Sequence, residues 1–220
     1  MDERLSAAAS LFPAVEVGAD IGANHGYLAC HLLSTKKARR MWMTDLSPVA
    51  LDQARRNVQA QGLSDRAAFA VGDGLTVLPE PVEAAAILGM GGNTVAHILQ
   101  NSPEDRLPGS IVVSSHTEQE TVRRALYARG YMISRELIAF SSGRYYVLHL
   151  AIHTGRTVMP NERTLFLGPG LIGENSPAYR AYLARRLGAY RPSRSQEGIR
   201  RYEWLREEAD RAAADSSDNL

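Results

Sequence analysis

Val17-Gly-Ala-Asp-Ile-Gly-Ala-Asn-His-Gly-Tyr-Leu28 decides how the rest of the chain is read. An apolar run closes on Asp20, turns through Gly22 and Gly26, and continues at helical spacing from Tyr27. Strand, glycine-bearing loop and helix in that order open a doubly wound α/β domain, whose first loop comes close to a ligand. The spacing is Asp-x-Gly-x-x-x-Gly, not the Gly-x-Gly-x-x-Gly that cradles a pyrophosphate. The same glycines also suit a plain turn and a tightly packed helix, so the loop alone leaves the ligand open.

Outward from this loop the alternation continues. Residues 1 to 14 read as a short helix over Leu5, Ala8, Ala9 and Phe12, ended by Pro13 and covering a domain edge or the mouth of the site. Val15 to Ile21 is the first strand, and Arg40 to Thr44 a second that ends at Asp45. Ser47-Pro48 supplies a capping hydroxyl and a first-turn proline for a helix running to about Gln61. Ala67 to Val71 and Ala84 to Leu88 are further strands, and Gly89-Met90-Gly91-Gly92 leads into a helix with Val95, Ile98 and Leu99. Ser110 to Ser114 makes a fifth strand, followed by a helix that ends at Gly130. Such alternation predicts a mostly parallel sheet covered by helices on both faces.

The pattern then changes. Met132 to Phe140 and Tyr145 to His153 are strand-like and joined by Ser141-Ser142-Gly143-Arg144, a hairpin signal. Class I methyltransferases carry such a hairpin after the fifth strand, whereas a dinucleotide domain continues in parallel. The hairpin and the loop spacing together select S-adenosylmethionine. The expected fold is α/β, a class I methyltransferase (Rossmann-like) arrangement with a mostly parallel seven-stranded sheet, a terminal antiparallel hairpin and a small C-terminal helical extension. The expected divisions are a methyltransferase domain over 1–155, a linker over 156–176, a helical RNA-binding extension over 177–211 and a disordered tail over 212–220.

Composition narrows the setting. A chain of 220 residues buries one core and carries an appendage. Its apolar runs are short and broken by charge, so neither a signal peptide nor a membrane span is expected. One cysteine, Cys30, fits a reducing compartment and points to the cytoplasm. The histidines and the cysteine form no close ligand cluster, so no metal is expected. The oligomeric state stays open, with a monomer preferred. The formal charge of +1 hides an arginine block, Arg180, Arg185, Arg186, Arg191, Arg194, Arg200 and Arg201, opposed only by Glu197. Arginines in that number neutralise phosphates, and they also solvate ordinary helices.

Chemistry-bearing positions fall at strand ends. Asp20, with Gly22 and Gly26, faces the amino acid end of the cofactor. Asp45 is placed to accept ribose hydroxyls, although it also suits a helix-approach turn beside Ser47. Asp73, between Gly72 and Gly74, is placed for the exocyclic amine of adenine, or is a plain Asx turn. Gly89 and Met90 lie over the transfer point, with Gly91 and Gly92 beside the incoming base or simply starting a helix. His25 and Asn24 stand near the methyl donor, as reaction-centre groups or as structural loop residues. Methyl transfer from a sulfonium to a ring nitrogen needs mainly an aimed lone pair.

These residues resemble the bacterial tRNA (adenine-22 N1)-methyltransferases, the TrmK group. The likeness is carried by Arg4-Leu5, Ala19-Asp20-Ile21-Gly22 with His25 and Tyr27-Leu28, Asp45, residues 72 to 75, and Gly89-Met90-Gly91-Gly92 with Ile98-Leu99. Arg124, Leu126, Gly130-Tyr131, Glu136, Tyr146 and Phe166 to Pro169 extend it over most of residues 4 to 170. The resemblance implies that Asp20, Gly22, Asp45 and Asp73 hold S-adenosylmethionine, and that the C-terminal helices, with Arg180, Arg185, Arg186, Arg200 and Arg201, help grip tRNA. Two positions depart from the group. Asn24 stands where an aspartate is usual, and Ser114-Ser115-His116 replaces Gln-Pro-Asn, which offers His116 as a substitute base. The implied function is methyl transfer to N1 of an adenine in tRNA, at position 22. The alternatives are another RNA base, a small-molecule acceptor, or an RNA-binding protein that has kept the fold without the activity.

Overall fold

The computed structural model describes residues 1–214. Seven strands, β1 (Val15–Ile21), β2 (Ala38–Asp45), β3 (Ala67–Val71), β4 (Ala84–Met90), β5 (Ser110–Ser115), β6 (Tyr131–Ser141) and β7 (Arg144–His153), form one sheet in the order β3-β2-β1-β4-β5-β7-β6. The first five are parallel, and β7 runs antiparallel to both neighbours. From β1 the chain moves outward to β2 and β3, then returns to the other side as β4. This reversal opens a crevice at the carboxyl end of β1.

Helices α1 (Glu3–Leu11), α2 (Tyr27–Ser34) and α3 (Pro48–Ala60) share a core with Met41, Met43 and Val112 on one face. On the other face α4 (Gly92–Asn101) and α5 (Gln119–Ala128) bury Val95, Leu99, Val122 and Leu126 against Ile87 and Val113. β5 is covered from both sides and buried throughout, which is why Ile111, Val112 and Val113 are consecutive apolar residues and do not alternate with polar ones. Helix starts follow local chemistry. The hydroxyl of Ser47 accepts from Ala50 N–H at 3.3 Å ahead of Pro48, and Asp2 caps α1 by accepting from Leu5 N–H at 2.8 Å.

Two expected boundaries need correction. Segment 156–176 is not a plain linker, because it contains α6 (Glu162–Leu167), whose Leu165, Phe166 and Leu167 are buried. The helical extension is α7 (Pro177–Ala189) and α8 (Gln196–Ala214), so α8 continues past residue 211 with Ala212 buried. The rest of the expected tail, 215–220, lies outside the described residues. α6, α7 and α8 close a third core with Val147 and Ile138 of the hairpin. The apolar stripes of α7 and α8 are thin because each helix buries only part of its surface in this small shared core.

A buried polar network fastens that unit to the sheet. Arg123 on α5 donates to Glu136 Oε1 at 2.9 Å and to the carbonyl of Leu165 at 2.9 Å, and Gly170 N–H donates to Glu136 Oε2 at 2.8 Å. His149 Nδ1 lies 2.7 Å from Glu136 Oε1, and its Nε2 meets Gln119 Oε1 at 3.0 Å. Burial alone raises the Glu136 carboxyl, but Arg123 and His149 together outweigh it and hold the group at about 2. A Cβ at Gly168 would lie 2.6 Å from Arg123 Nη2, so the Phe166-Leu167-Gly168-Pro169 turn has to pass without a side chain there.

Candidate active site

The crevice between β1 and β4 opens into a cleft of about 470 Å³. Its wall includes Asp20, Gly22, Asn24, His25, Gly89 and His116, so six of the residues expected from sequence meet in one place. β1 delivers Asp20 to its carboxyl end, and the following loop folds back under α2. Gly22 and Gly89 both have left-handed backbones, with φ of 68° and 76°. A Cβ on Gly22 would run into the terminal methyl of Met90, and one on Gly89 would approach Arg4 Nη1 to 3.2 Å. The floor of the cleft is therefore bare backbone.

Asp20 is buried, and desolvation raises its carboxyl from 3.8 to about 7. The Ala29 N–H in the first turn of α2 and the Arg4 guanidinium pull the other way, while the Asp45 charge adds to the rise. Arg4 reaches the cleft from α1 and lies over the Tyr146 ring at 5.4 Å. No carboxylate within 4.0 Å pairs with Arg4 among the described residues. The cleft thus presents a buried carboxyl and a free guanidinium, a pair complementary to an amino acid zwitterion.

The two histidines stand in aromatic pairs. His25 stacks on Tyr27 at 5.4 Å, and His116 meets Tyr146 edge-on at 5.9 Å. The N–H of His116 donates to the carbonyl of Met90 at 2.9 Å, so Met90 fixes the β5 loop by its backbone and does not line the cleft. Asn24 adopts φ 48°, a conformation that asparagine tolerates better than most residues, and its N–H donates to Asp45 Oδ2 at 3.2 Å.

Other expected positions lie outside this cleft. Asp45 Oδ1 accepts from Ser47 N–H at 2.9 Å, so its carboxylate serves the turn and the glycine loop together. Asp73 is exposed and has His97 Nε2 at 3.8 Å. Its loop joins the same edge, because Gly72 N–H donates to the Asp45 carbonyl at 3.0 Å and Thr44 Oγ1 lies 3.3 Å from the Gly74 carbonyl. Asp20, Asp45 and Asp73 therefore stand at or just beyond the carboxyl ends of three adjacent strands. Gly26 is buried against Met43 and Ala54, Gly74 against Ile98, and Gly92 against the Thr117-Glu118 backbone, where side chains would collide. Gly91 is the N-cap of α4.

The five arginines expected to grip tRNA divide in two. Arg180 holds the Asn175 carbonyl at 2.7 Å, Arg186 holds that of Phe166 at 3.0 Å, and Arg201 pairs with Glu120 at 3.0 Å and Glu197 at 2.7 Å. These three brace the extension. Arg185 and Arg200 are exposed and form no ion pair among the described residues. Arg4 and Tyr146 enter the sequence reading only through a resemblance, yet both line the cleft; the strand parity that places Tyr146 opposite Ala139 is the one local signal that marks its face.

Comparison with known proteins agrees with this geometry. A methyltransferase-domain family model matches residues 1–148. The tRNA (adenine(22)-N(1))-methyltransferase of Bacillus subtilis is 30% identical over 154 residues, a match spanning 69% of this chain and 64% of that protein, under two thirds of its length. Among solved structures, Streptococcus pneumoniae Sp1610 in complex with S-adenosyl-L-methionine superposes with a TM-score of 0.85 at 21% identity, covering 94% of this chain and 98% of that one. M. capricolum TrmK in complex with S-adenosyl-homocysteine gives 0.80 at 22%, covering 96% and 98%. These structural likenesses bear out the Rossmann-like sheet with its C-terminal helices. The chain belongs to the methyltransferase-domain family.

Proposed function

We propose that this chain transfers the methyl group of S-adenosylmethionine to N1 of an adenine in tRNA, at position 22 by its likeness to the Bacillus protein. One observation carries the reading: a buried carboxyl, Asp20, faces a cleft floored by bare glycine backbone at the sheet's reversal point, with Arg4 opposite it. When bound, S-adenosylmethionine supplies a methyl group on positively charged sulfur. Asp20 takes the ammonium of its methionine end and Arg4 the carboxylate. Asp45 accepts from the ribose hydroxyls through lone pairs that Asn24 and Ser47 leave free, and Asp73 accepts from the adenine amine. Gly22, Gly26 and Gly74 shape the loops that permit this approach.

Transfer forms a bond from carbon to the base nitrogen as the bond from carbon to sulfur breaks, so positive charge moves onto the base. The chain's contribution is to aim the lone pair. Gly89 keeps the mouth free of a side chain, the Met90 carbonyl holds His116 beside it, and Gly91 and Gly92 let α4 begin close against the β5 loop. His116 takes the exocyclic proton of the charged product, and His25 and Asn24 orient the base. Arg185 and Arg200 meet phosphates, while Arg180, Arg186 and Arg201 keep the helices that carry them in place. The reducing environment that a lone buried Cys30 suits is the cytoplasm, where tRNA is found.

The test is incubation of the protein with labelled S-adenosylmethionine and unmodified tRNA, then nucleoside analysis and mapping. The expected product is 1-methyladenosine at a single position. A different methylated nucleoside rejects the base assignment, and tight tRNA binding without transfer rejects the activity.

A further inference from the structure

The hairpin of β6 and β7 has two unlike faces at its tip. Ser141, Ser142 and Tyr146 line the cleft. On the opposite face Phe140 pairs with Tyr145 across the strands, their rings 4.8 Å apart, and Phe140 is 45% exposed. α7 packs beside them, with Tyr182 edge-on to Tyr145 at 6.0 Å and the Arg185 guanidinium 5.9 Å from the Tyr145 ring. Arg144 stands exposed at the turn, and neither it nor Arg185 forms an ion pair among the described residues. The sequence of α7, Pro-Ala-Tyr-Arg-Ala-Tyr-Leu-Ala-Arg-Arg-Leu-Gly-Ala, contains no acidic residue.

This arrangement is an exposed aromatic flanked by arginines that form no ion pair among the described residues. It is what a nucleic acid strand needs: a π-face for a base and cations for the phosphates on either side. Its position adds direction, because a single hairpin separates it from the cleft where the target base enters. We infer that the outer face of the hairpin tip, Phe140, Arg144, Tyr145 and Arg185, is an RNA contact that stacks a nucleotide flanking the methylated one and so holds the target base turned into the cleft. This rests on the tRNA reading above. It moves the RNA grip from the long arginine block, much of which braces the fold, to a compact patch at the cleft rim.

The test is steady-state methylation of unmodified tRNA by wild type, Phe140→Ala, Phe140→Trp and Arg185→Glu, with S-adenosylmethionine affinity titrated separately and melting followed as a check on folding. Phe140→Ala is expected to raise KM for tRNA about ten-fold, with Phe140→Trp close to wild type. Arg185→Glu is expected to raise it similarly and to lower the salt slope of tRNA binding by about 1. Cofactor affinity stays unchanged in all three. If wild type methylates tRNA and KM is unmoved in both Phe140→Ala and Arg185→Glu, the hairpin contact is wrong and the activity stands. If wild type neither binds nor methylates tRNA, the activity itself falls and the contact with it.

Discussion

Asp20 answers two opposed demands. Burial under α2 favours its neutral form, whereas an arriving ammonium favours the ionised one, and a carboxyl near 7 stands between them. S-adenosylmethionine affinity should therefore rise as pH increases from about 5 to about 7, then level off, and Asp20→Asn should flatten that dependence while weakening binding at least ten-fold. Titrations at several pH values check both. The same shift has a sign for stability. The folded state keeps its proton above the ordinary value of 3.8, so ligand-free stability falls by up to ~1.4 kcal/mol per pH unit between about 4 and about 7. Asp20→Asn should remove that slope. Asp45→Ala leaves the N–H groups of Asn24 and Ser47 without their acceptor, and should cost about 1 kcal/mol of stability together with a larger loss of cofactor affinity. Asp20 and its loop were legible in sequence because strand, turn and helix follow one another within a dozen residues. The partnership of Asp20 with Arg4 was not, because α1 and the β1 loop meet only through tertiary packing.

At the scale of elements, the Arg123, Glu136 and His149 network explains how a small helical unit holds its place on the hairpin. With Glu136 held at about 2, its ionised form contributes stability above the ordinary value of 4.5, and this is lost as pH falls from about 4.5 towards 2. Arg123→Leu would leave a buried carboxylate without its guanidinium and should destabilise the fold by roughly 3–5 kcal/mol, measured by denaturant unfolding. The strands and the first five helices were readable from periodicity and caps. α6 was not. It is six residues long and sits between prolines and glycines, so composition there reads as linker. Only burial of Leu165, Phe166 and Leu167 against two separate cores turns it into a fixed element.

For the whole molecule, the third core means that the C-terminal helices are not a separable module. Ending the chain at residue 175 would expose Val147, Phe166, Leu167 and Leu171, which now pack against α7 and α8. Such a truncation should lower the melting temperature by several degrees and promote association, as followed by calorimetry and size-exclusion chromatography. Thin apolar stripes in sequence hid this, because each helix brings only a few residues to a core that the hairpin and α6 complete. The proposed activity requires that the methyl donor bind in the cleft between β1 and β4. Isothermal titration of the intact protein with S-adenosylmethionine tests that most directly. One site per chain that is lost in Asp20→Asn is the predicted result; no binding heat to the wild type, or equal affinity in the variant, would contradict it.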